Sequence, residues 1–444
     1  MIRIANGQGF WGDWLEGPVR LVDGGPLDYL TLDYLAEVTM SILQKQRRRD
    51  PSLGYARDFP PLIARIGERI KRSRIRVIAN AGGVNPVACA REVRRLAPQL
   101  EVAVVLGDDI LSEIDHLLQA GQELRNMDTG APIAGIREQI QSANVYIGAF
   151  PLAEALRTGA DVVITGRCAD AALSLAPMIH EFGWKEDDWD LLAGGIVAGH
   201  VIECSTQATG GNCHLDWQST PDFAHIGFPI IEASANGDMV ITKHAGTGGR
   251  VTQGTVKEQL LYEIGNPAQY MTPDVIADFR TIQLHDDGHD RVRISGVQGQ
   301  PRPQQLKASI SYHYGWKAVG TLVYSAPEAL AKARVADGMV RQRLSELPLH
   351  FEKIHTEFFG VNACHAHLAS RVDEPAEVQL RIGARSGDRE SIERFTRELI
   401  PLVLNGPPTA TGYGEGRPQA REIVAYWPAL VLRSAVLPRV EVVE

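Results

Sequence analysis

The sequence predicts an α/β protein: an N-terminal, mostly parallel sheet with flanking helices, followed by a smaller α+β unit. Three observations carry this. Over roughly the first 200 positions, short β-rich runs ending in small or polar residues alternate with helical patterns, which implies parallel strands joined by crossovers. From about residue 190 the chain turns glycine-rich, with short extended runs. At 444 residues it is also too long for one small core.

Each element follows from its residues. "IRIAN" (2–6) reads as a strand, and "DYLTLDYLAEVTMSILQKQRR" (28–48) carries apolar residues at helical spacing. Gly17-Pro18 and Gly24-Gly25-Pro26 defer any long helix to about residue 28. "FPPLIARIGERIKR" (59–72) predicts a helix, "IRVIAN" (75–80) a strand and "AGGVNP" a loop. A helix from about 87 leads to "EVAVVLGDD" (101–109), strand then acidic turn. "ANVYIGAF" and "DVVITGR" repeat the theme around a helix at 151–158. Beyond 190, "AGGIVAGHVIECSTQATGGNC" and "IIEASANGDMVITKHAGTGG" read as extended runs, with "SANGDM" a turn between two strands. Helices at 252–264 and 326–346, strand-rich "DRVRISGVQG" and "QQLKASISYHYGWKAVGTLVYS", and the pair "AEVQLRIGARSG" and "DRESIERFTRELIPLVL" complete the series. The expected domains are 1–190, an α/β domain with ligand loops at its strand ends; 191–269, a glycine-rich segment completing the site; and 270–444, an α+β domain whose C-terminal tail packs back on the first.

Composition narrows the function. With 44% hydrophobic and 22% charged residues the chain matches a globular enzyme. A net charge of −9 disfavours nucleic acid, whose binding is driven by phosphate neutralisation. No apolar run reaches about eighteen residues, and the N-terminus lacks a secretory pattern, so no membrane is involved. Five scattered cysteines without CxxC point to a reducing cytoplasm.

In parallel sheets ligands bind beyond the carboxyl ends of the strands, which nominates Asn6–Asp13, Asn80–Asn85 with Gly82 and Gly83, Gly107–Asp109, Gly148 and Thr165–Asp170. "GQGFWG" (7–12) matches GxGxxG without the immediate helix a dinucleotide needs, and reads as a ligand-facing loop holding Asp13. "GDD" offers Asp108 and Asp109 as general base and orienting partner or as oxygen ligands for a divalent ion; a helix-capping Asp109 is the alternative. In "RCAD", Arg167 presents a fork to a carboxylate or phosphate while Asp170 caps a helix; a pair that only fastens the turn is the alternative.

"ATGGNCHLD" brings Thr209, Gly210, Gly211 and Asn212 as an oxyanion-type cradle beside Cys213 and His214, whose pairing as nucleophile and base is the other reading. "HAGTGGRVTQGTVKEQL" places Gly246, Thr247, Gly248 and Gly249 before a helix capped by Thr252 or Thr255, with Thr255 and Glu258 fitting a capping box. Its amides suit a phosphate or carboxylate as well as a plain turn. "HDDGHD" (285–290) and "NACHAH" (362–367) lack the closed spacing of a metal site.

Taken in order, "NGQGFWGD", "LDYLTLDYLAE", "NAGGVNP", "VLGDD", "GADVVITGRCADAAL" and "GHVIECSTQATGGN" resemble the acyclic terpene utilisation family, AtuA-like, formerly a domain of unknown function. The resemblance runs through most of the chain. It implies a cytoplasmic protein, mostly bacterial, whose namesake is linked to breakdown of citronellol and geraniol. Longer relatives append a small ferredoxin-like domain, which implies that here it is either supplied by a small ferredoxin-like partner protein or dispensable.

The expectation is therefore a cytoplasmic catabolic enzyme acting on a small anionic substrate, a carboxylate or acyl-CoA thioester, by a hydratase- or lyase-type step. CoA enters only as part of the substrate, no metal is expected, and a homo-oligomer is the commoner state. Asp108 or Asp109 is the general base and His214 an alternative acid. Arg167 and the 246–249 amides hold the anionic end, and Asn80, Asn85 and Asn212 orient a carbonyl. Asn6, Asp13, Gly82, Gly83, Thr165, Asp170, Thr209, Gly210, Gly211 and Thr247 complete the binding loops. Two rival readings stand beside it: a non-catalytic ligand-binding or scaffold subunit needing a partner, and a metal-dependent hydrolase using Asp108, Asp109 and nearby histidines.

Overall fold

The computed structural model describes residues 1–370, 374–412 and 416–444. It divides into two compact units, Met1–Ser311 with Tyr426–Glu444, and Tyr312–Ala425. Residues 190 and 270, where the composition changes, both lie inside the first unit.

In chain order the first unit runs β1 (Ile2–Asn6), α1 (Glu16–Gly24), β2 (Tyr29–Leu32), α2 (Glu37–Arg49), α3 (Phe59–Ser73), β3 (Arg76–Ala79) and α4 (Pro86–Leu96). It continues through β4 (Val102–Leu106), α5 (Ile114–Gln119), β5 (Ile140–Val145), α6 (Ala149–Arg157), β6 (Val162–Thr165), α7 (Ala172–Phe182) and α8 (Trp189–Glu203). Next come β7 (Pro229–Ala233), β8 (Met239–Lys243), α9 (Gln253–Leu261), β9 (Tyr270–Met271), β10 (Ile276–Asp278), β11 (Gln283–Asp286), β12 (Val292–Ser295) and β13 (Gln298–Gln300). β14 (Gln305–Ser325) leads to α10 (Ala329–Ser345), β15 (Lys353–Phe359), β16 (Glu377–Ser386), α11 (Arg389–Phe395), α12 (Leu402–Asn405), β17 (Arg421–Leu432) and finally β18 (Arg439–Val443).

A ten-stranded sheet in the order β11-β12-β8-β7-β1-β2-β3-β6-β4-β18 forms the centre of the first unit. The middle five strands are parallel, while β7, β8, β12 and β11 on one side and β18 on the other are antiparallel. Both faces are covered, so the central strands are apolar throughout instead of alternating. On one face Ala5, Leu30, Leu32, Val77, Val104 and Ile164 join a core with α1, α3 and α4. On the other, α6, α7 and α8 pack side by side across the strands.

Three local readings change. Residues 29–32, expected as the start of a long helix, are β2: Tyr29, Leu30 and Leu32 are buried between strands, and the helix begins only at Glu37. A four-residue apolar run satisfies both periods, and the tertiary environment decides. A helix also forms earlier than the prolines suggested, since Pro18 sits in the first turn of α1, where a missing N–H costs nothing. Residues 193–203, expected as extended, belong to α8. Its Leu192–Ile202 stretch is buried all round, as an apolar helix must be. Gly195 and Gly199 serve close helix packing, because a Cβ on Gly199 would lie 2.8 Å from the Ala171 carbonyl.

In the second unit the sheet order is β15-β16-β14-β17, with β16 antiparallel to both β15 and β14. Val378, Leu380, Ile382 and Ala384 of β16 share a core with Ala329, Ala333, Ala336, Val340 and Leu344 of α10. Among the described residues, no helix is long and apolar enough to cross a membrane.

The chain packs tightly at Gly82, where a Cβ would sit 2.7 Å from the Thr165 carbonyl and 2.9 Å from Pro86 Cα. Gly82→Ala is expected to lower unfolding free energy by about 1–3 kcal/mol, read from chemical denaturation.

Candidate functional site

Neighbouring strands β3 and β6 send the chain in opposite directions. β3 leads through α4 to β4, on one face; β6 leads through α7 and α8, on the other face, back past β1 to β7. Such a reversal opens a crevice at the carboxyl ends of the two strands, the usual ligand position in sheets of this kind. Here the crevice is filled by polar side chains.

Arg167, just beyond β6, is its centre. The side chain is 2% exposed. Its Nη1 donates to Asp170 Oδ1 at 2.6 Å and to the Leu35 carbonyl at 3.1 Å. The guanidinium carbon lies 4.2 Å from the centre of the Tyr146 ring, a cation–π contact. The Nε–H is buried and has no acceptor among the described residues.

Asp33, at the end of β2, faces the same group. Its Oδ1 accepts from Asn80 Nδ2 at 2.6 Å and from the Leu35 N–H at 3.3 Å, and Asn80 Oδ1 accepts from the Tyr34 N–H at 2.6 Å. Burial, reinforced by Asp170, pushes the Asp33 carboxyl well above the usual carboxylate range, and Arg167 only partly opposes this. Asp108 lies behind the turn: Oδ2 accepts from the Arg167 N–H at 2.8 Å and from Asn144 Nδ2 at 2.9 Å. Burial raises it to about 7.

A second dyad closes the β1 side. His200 Nδ1 and Glu203 Oε1 are 2.8 Å apart, and His200 Nε2 lies 3.1 Å from the Gln259 carbonyl, so Nε2 carries its proton. Burial drives Glu203 up; burial works against the charged imidazole too, but Glu203 outweighs it and holds His200 above its ordinary value. Glu203 Oε2 and both polar atoms of Gln8 are buried without partners among the described residues. On the open side Tyr146 donates to Glu37 Oε1 at 2.6 Å, Lys307 lies 5.0 Å from the Tyr146 ring, and Glu37, Lys307 and Asp170 are 36%, 42% and 34% exposed.

A model of the family described as Acyclic terpene utilisation family protein AtuA matches residues 2–442. The chain belongs to this family. Comparison with curated proteins and with solved structures gives no match.

The AtuA-family chain brings Asn80, Gly82, Asp108, Thr165, Arg167 and Asp170 to one crevice; the Thr165 hydroxyl is buried there without a partner among the described residues. Other nominated residues do different work. Asn6 is consumed, donating to the Ile202 and Glu203 carbonyls at 2.8 and 2.9 Å and tying β1 to the end of α8. Asp13 closes its own loop through the Gly9 and Trp14 amides, and Asn85 fastens the Pro51 and Leu53 carbonyls. Gly83 takes a turn at φ 53°. Asp109 points outward, accepting from the Leu111 N–H, with Arg47 3.8 Å away. The Gly148 loop is closed by Asp274, which accepts the Ala149 N–H.

The two glycine loops are corrected. The Gly210 and Gly211 amides bond the Gln207 and Thr206 carbonyls, Thr209 bonds Gly227, and Asn212 is exposed at φ 50°. The Gly248 and Gly249 amides bond the His225 and Pro221 carbonyls at 2.8 and 2.7 Å, so neither is free to cradle an anion. Gly246 and Thr247 instead line a cleft of about 540 Å3 with Lys243, whose ammonium is neutralised by Asp290 at 2.9 Å. The α9 box is Thr252 with Thr255. Glu258, expected in that box, takes the Cys213 thiol and the His214 and Leu215 amides, which leaves His214 on an exposed loop. Among the described residues no three His, Cys, Asp or Glu side chains form a metal-holding group.

Asp33, Glu203, His200 and Tyr146 were not nominated, and Gln8 lay within the Asn6–Asp13 loop without being singled out. Asp33 follows "YLTL", a strand end once that run is read at period two; Glu203 and His200 lie three apart on one helix face.

Asp108 binds its proton more tightly folded than unfolded, so its stabilising contribution is complete below its ordinary value of 3.8 and is lost as pH rises through about 7. Relative to the wild type, Asp108→Asn should gain about 2–3 kcal/mol of stability between about pH 5 and about pH 8, measured by denaturant unfolding at both.

Proposed function

We propose that this AtuA-family chain catalyses proton transfer on a small carboxylate or acyl-CoA thioester, in a hydratase- or lyase-type step of acyclic terpene or related acid degradation. The observation that supports it most is the buried Arg167, with an uncommitted Nε–H, set between Asp170 and Asp33, whose carboxyl burial pushes well above the usual carboxylate range.

That arrangement supplies what an acid–base step at a carbonyl needs. Arg167 offers a charged donor to a carboxylate or to the oxyanion of an enolised thioester. Asp33 is the proton donor and Asp170, ion-paired with Arg167, the acceptor. Asp108 holds the 165–167 turn through the Arg167 amide and does not meet the substrate. The roles first given to Asp108, Asp109 and His214 thus pass to Asp33 and Asp170.

The test is solvent-deuterium incorporation at the α-carbon of branched acyclic acids and their CoA thioesters. The wild type is expected to incorporate deuterium; Asp33→Asn should lower kcat about 100-fold or more. Arg167→Lys should mainly raise KM. Unchanged exchange in both variants would remove the proposal. The tight enclosure of the crevice, with Asp33 at 5% exposure, favours a second reading, a ligand-binding subunit. Saturable binding of these compounds with no exchange would support it.

A further inference from the structure

The second unit carries a charged row that has no part in the strand-end chemistry. Register places Lys317 of β14 directly opposite Arg385 of β16, and Arg385 directly opposite Lys353 of β15. Directly paired residues project from the same face, with Cβ atoms about 4.5–5.5 Å apart. That face is the one away from the helices, since Val378, Leu380, Ile382 and Ala384, which alternate with Arg385, build the helical core. Three cations therefore stand side by side across three strands.

Like charges directly opposed destabilise a sheet unless an anion joins them. Four residues along, Arg381 shows the ordinary solution: its Nε bonds Glu357 on the neighbouring strand at 2.5 Å. The row of three has no such carboxylate among the described residues. Lys317 and Lys353 are exposed, and the Arg385 Nε–H is buried with no acceptor among the described residues. Tyr314, 44% exposed, lies with its ring 4.4 Å from the Arg385 guanidinium carbon. Beside the row, Gly383 adds no side chain, and a Cβ there would only touch Val319 at 3.7 Å.

We propose that the Lys317–Arg385–Lys353 row binds the pyrophosphate group of a nucleotide-type ligand. A pyrophosphate group is short enough to sit over Arg385: the guanidinium pairs with its oxygens in a fork, and the two flexible lysine side chains add point charges from either side. Tyr314 is the aromatic neighbour for a planar base. An adenosine diphosphate group is shared by free adenine nucleotides and by CoA, and either source presents the same chemistry to the row.

Calorimetric titration of the full chain with inorganic pyrophosphate, ADP and CoA tests this. Saturable one-to-one binding of pyrophosphate is expected, weakening as salt is added. Lys353→Gln and Arg385→Gln should each lower affinity about tenfold or more, the loss of one charge-assisted contact. Arg385→Lys should lose less than Arg385→Gln. CoA binding more tightly than ADP assigns the carrier as the source, and equal affinities assign free nucleotide; both support the shared group. Arg167→Lys should leave pyrophosphate binding unchanged, which separates this site from the strand-end one. Absence of binding at millimolar pyrophosphate, binding unaltered in a Lys317→Gln/Arg385→Gln variant with native-like circular dichroism, or binding of an acidic peptide but not pyrophosphate would overturn the proposal.

Discussion

The burial of one guanidinium organises the first unit. A charge taken out of water is costly unless its neighbours replace the lost hydration, and each neighbour of Arg167 is delivered by a different connection. The Leu35 carbonyl comes from the segment after β2, Tyr146 from the one after β5, and Asp170 from the turn after β6. Asp108, after β4, fixes the Arg167 backbone. These groups can meet only if the parallel strands are in register and their carboxyl ends are level. The charge thus acts as a check on correct assembly of the central sheet as well as a binding group.

A consequence is that carboxyls accumulate where a single cation must serve several. Asp33, Asp108 and Glu203 are all held above the ordinary carboxylate range, each with burial as the leading cause. Their compensation differs. Asp33 leans on Asn80, Asp108 on an amide and on Asn144, and Glu203 on His200. In each case the hydrogen bonds offset only part of what burial does to the carboxyl.

Much of the parallel core was legible because β1, β3, β4 and β6 are short β-rich runs ending in small or polar residues, and the loops after β3 and β6 were marked by position alone. What was hidden has a common cause. "YLTLDYLAE" supports helical and strand periods equally, and its reading as a helix concealed Asp33 at a strand end. The glycines of α8 look like turn residues until a facing helix is present to need them, and that reading concealed His200 and Glu203. Gly248 and Gly249 failed in the opposite direction: amides that look available in a sequence were already bonded to carbonyls of residues 221 and 225. Hydrogen-bond commitments between distant segments leave no local trace.

The division of the chain has a further meaning for its biosynthesis. The second unit occupies Tyr312–Ala425, so the first is made from two segments separated by the whole of the second. Strand β18, which pairs with β4 from Val102–Val443 to Leu106–Arg439, leaves the ribosome only after that inserted unit has been made. During this interval β4 presents an unpaired, apolar edge, a template for wrong partners. Nascent chains stalled before residue 439 should thus be the species most in need of a chaperone, although their central parallel strands are already complete.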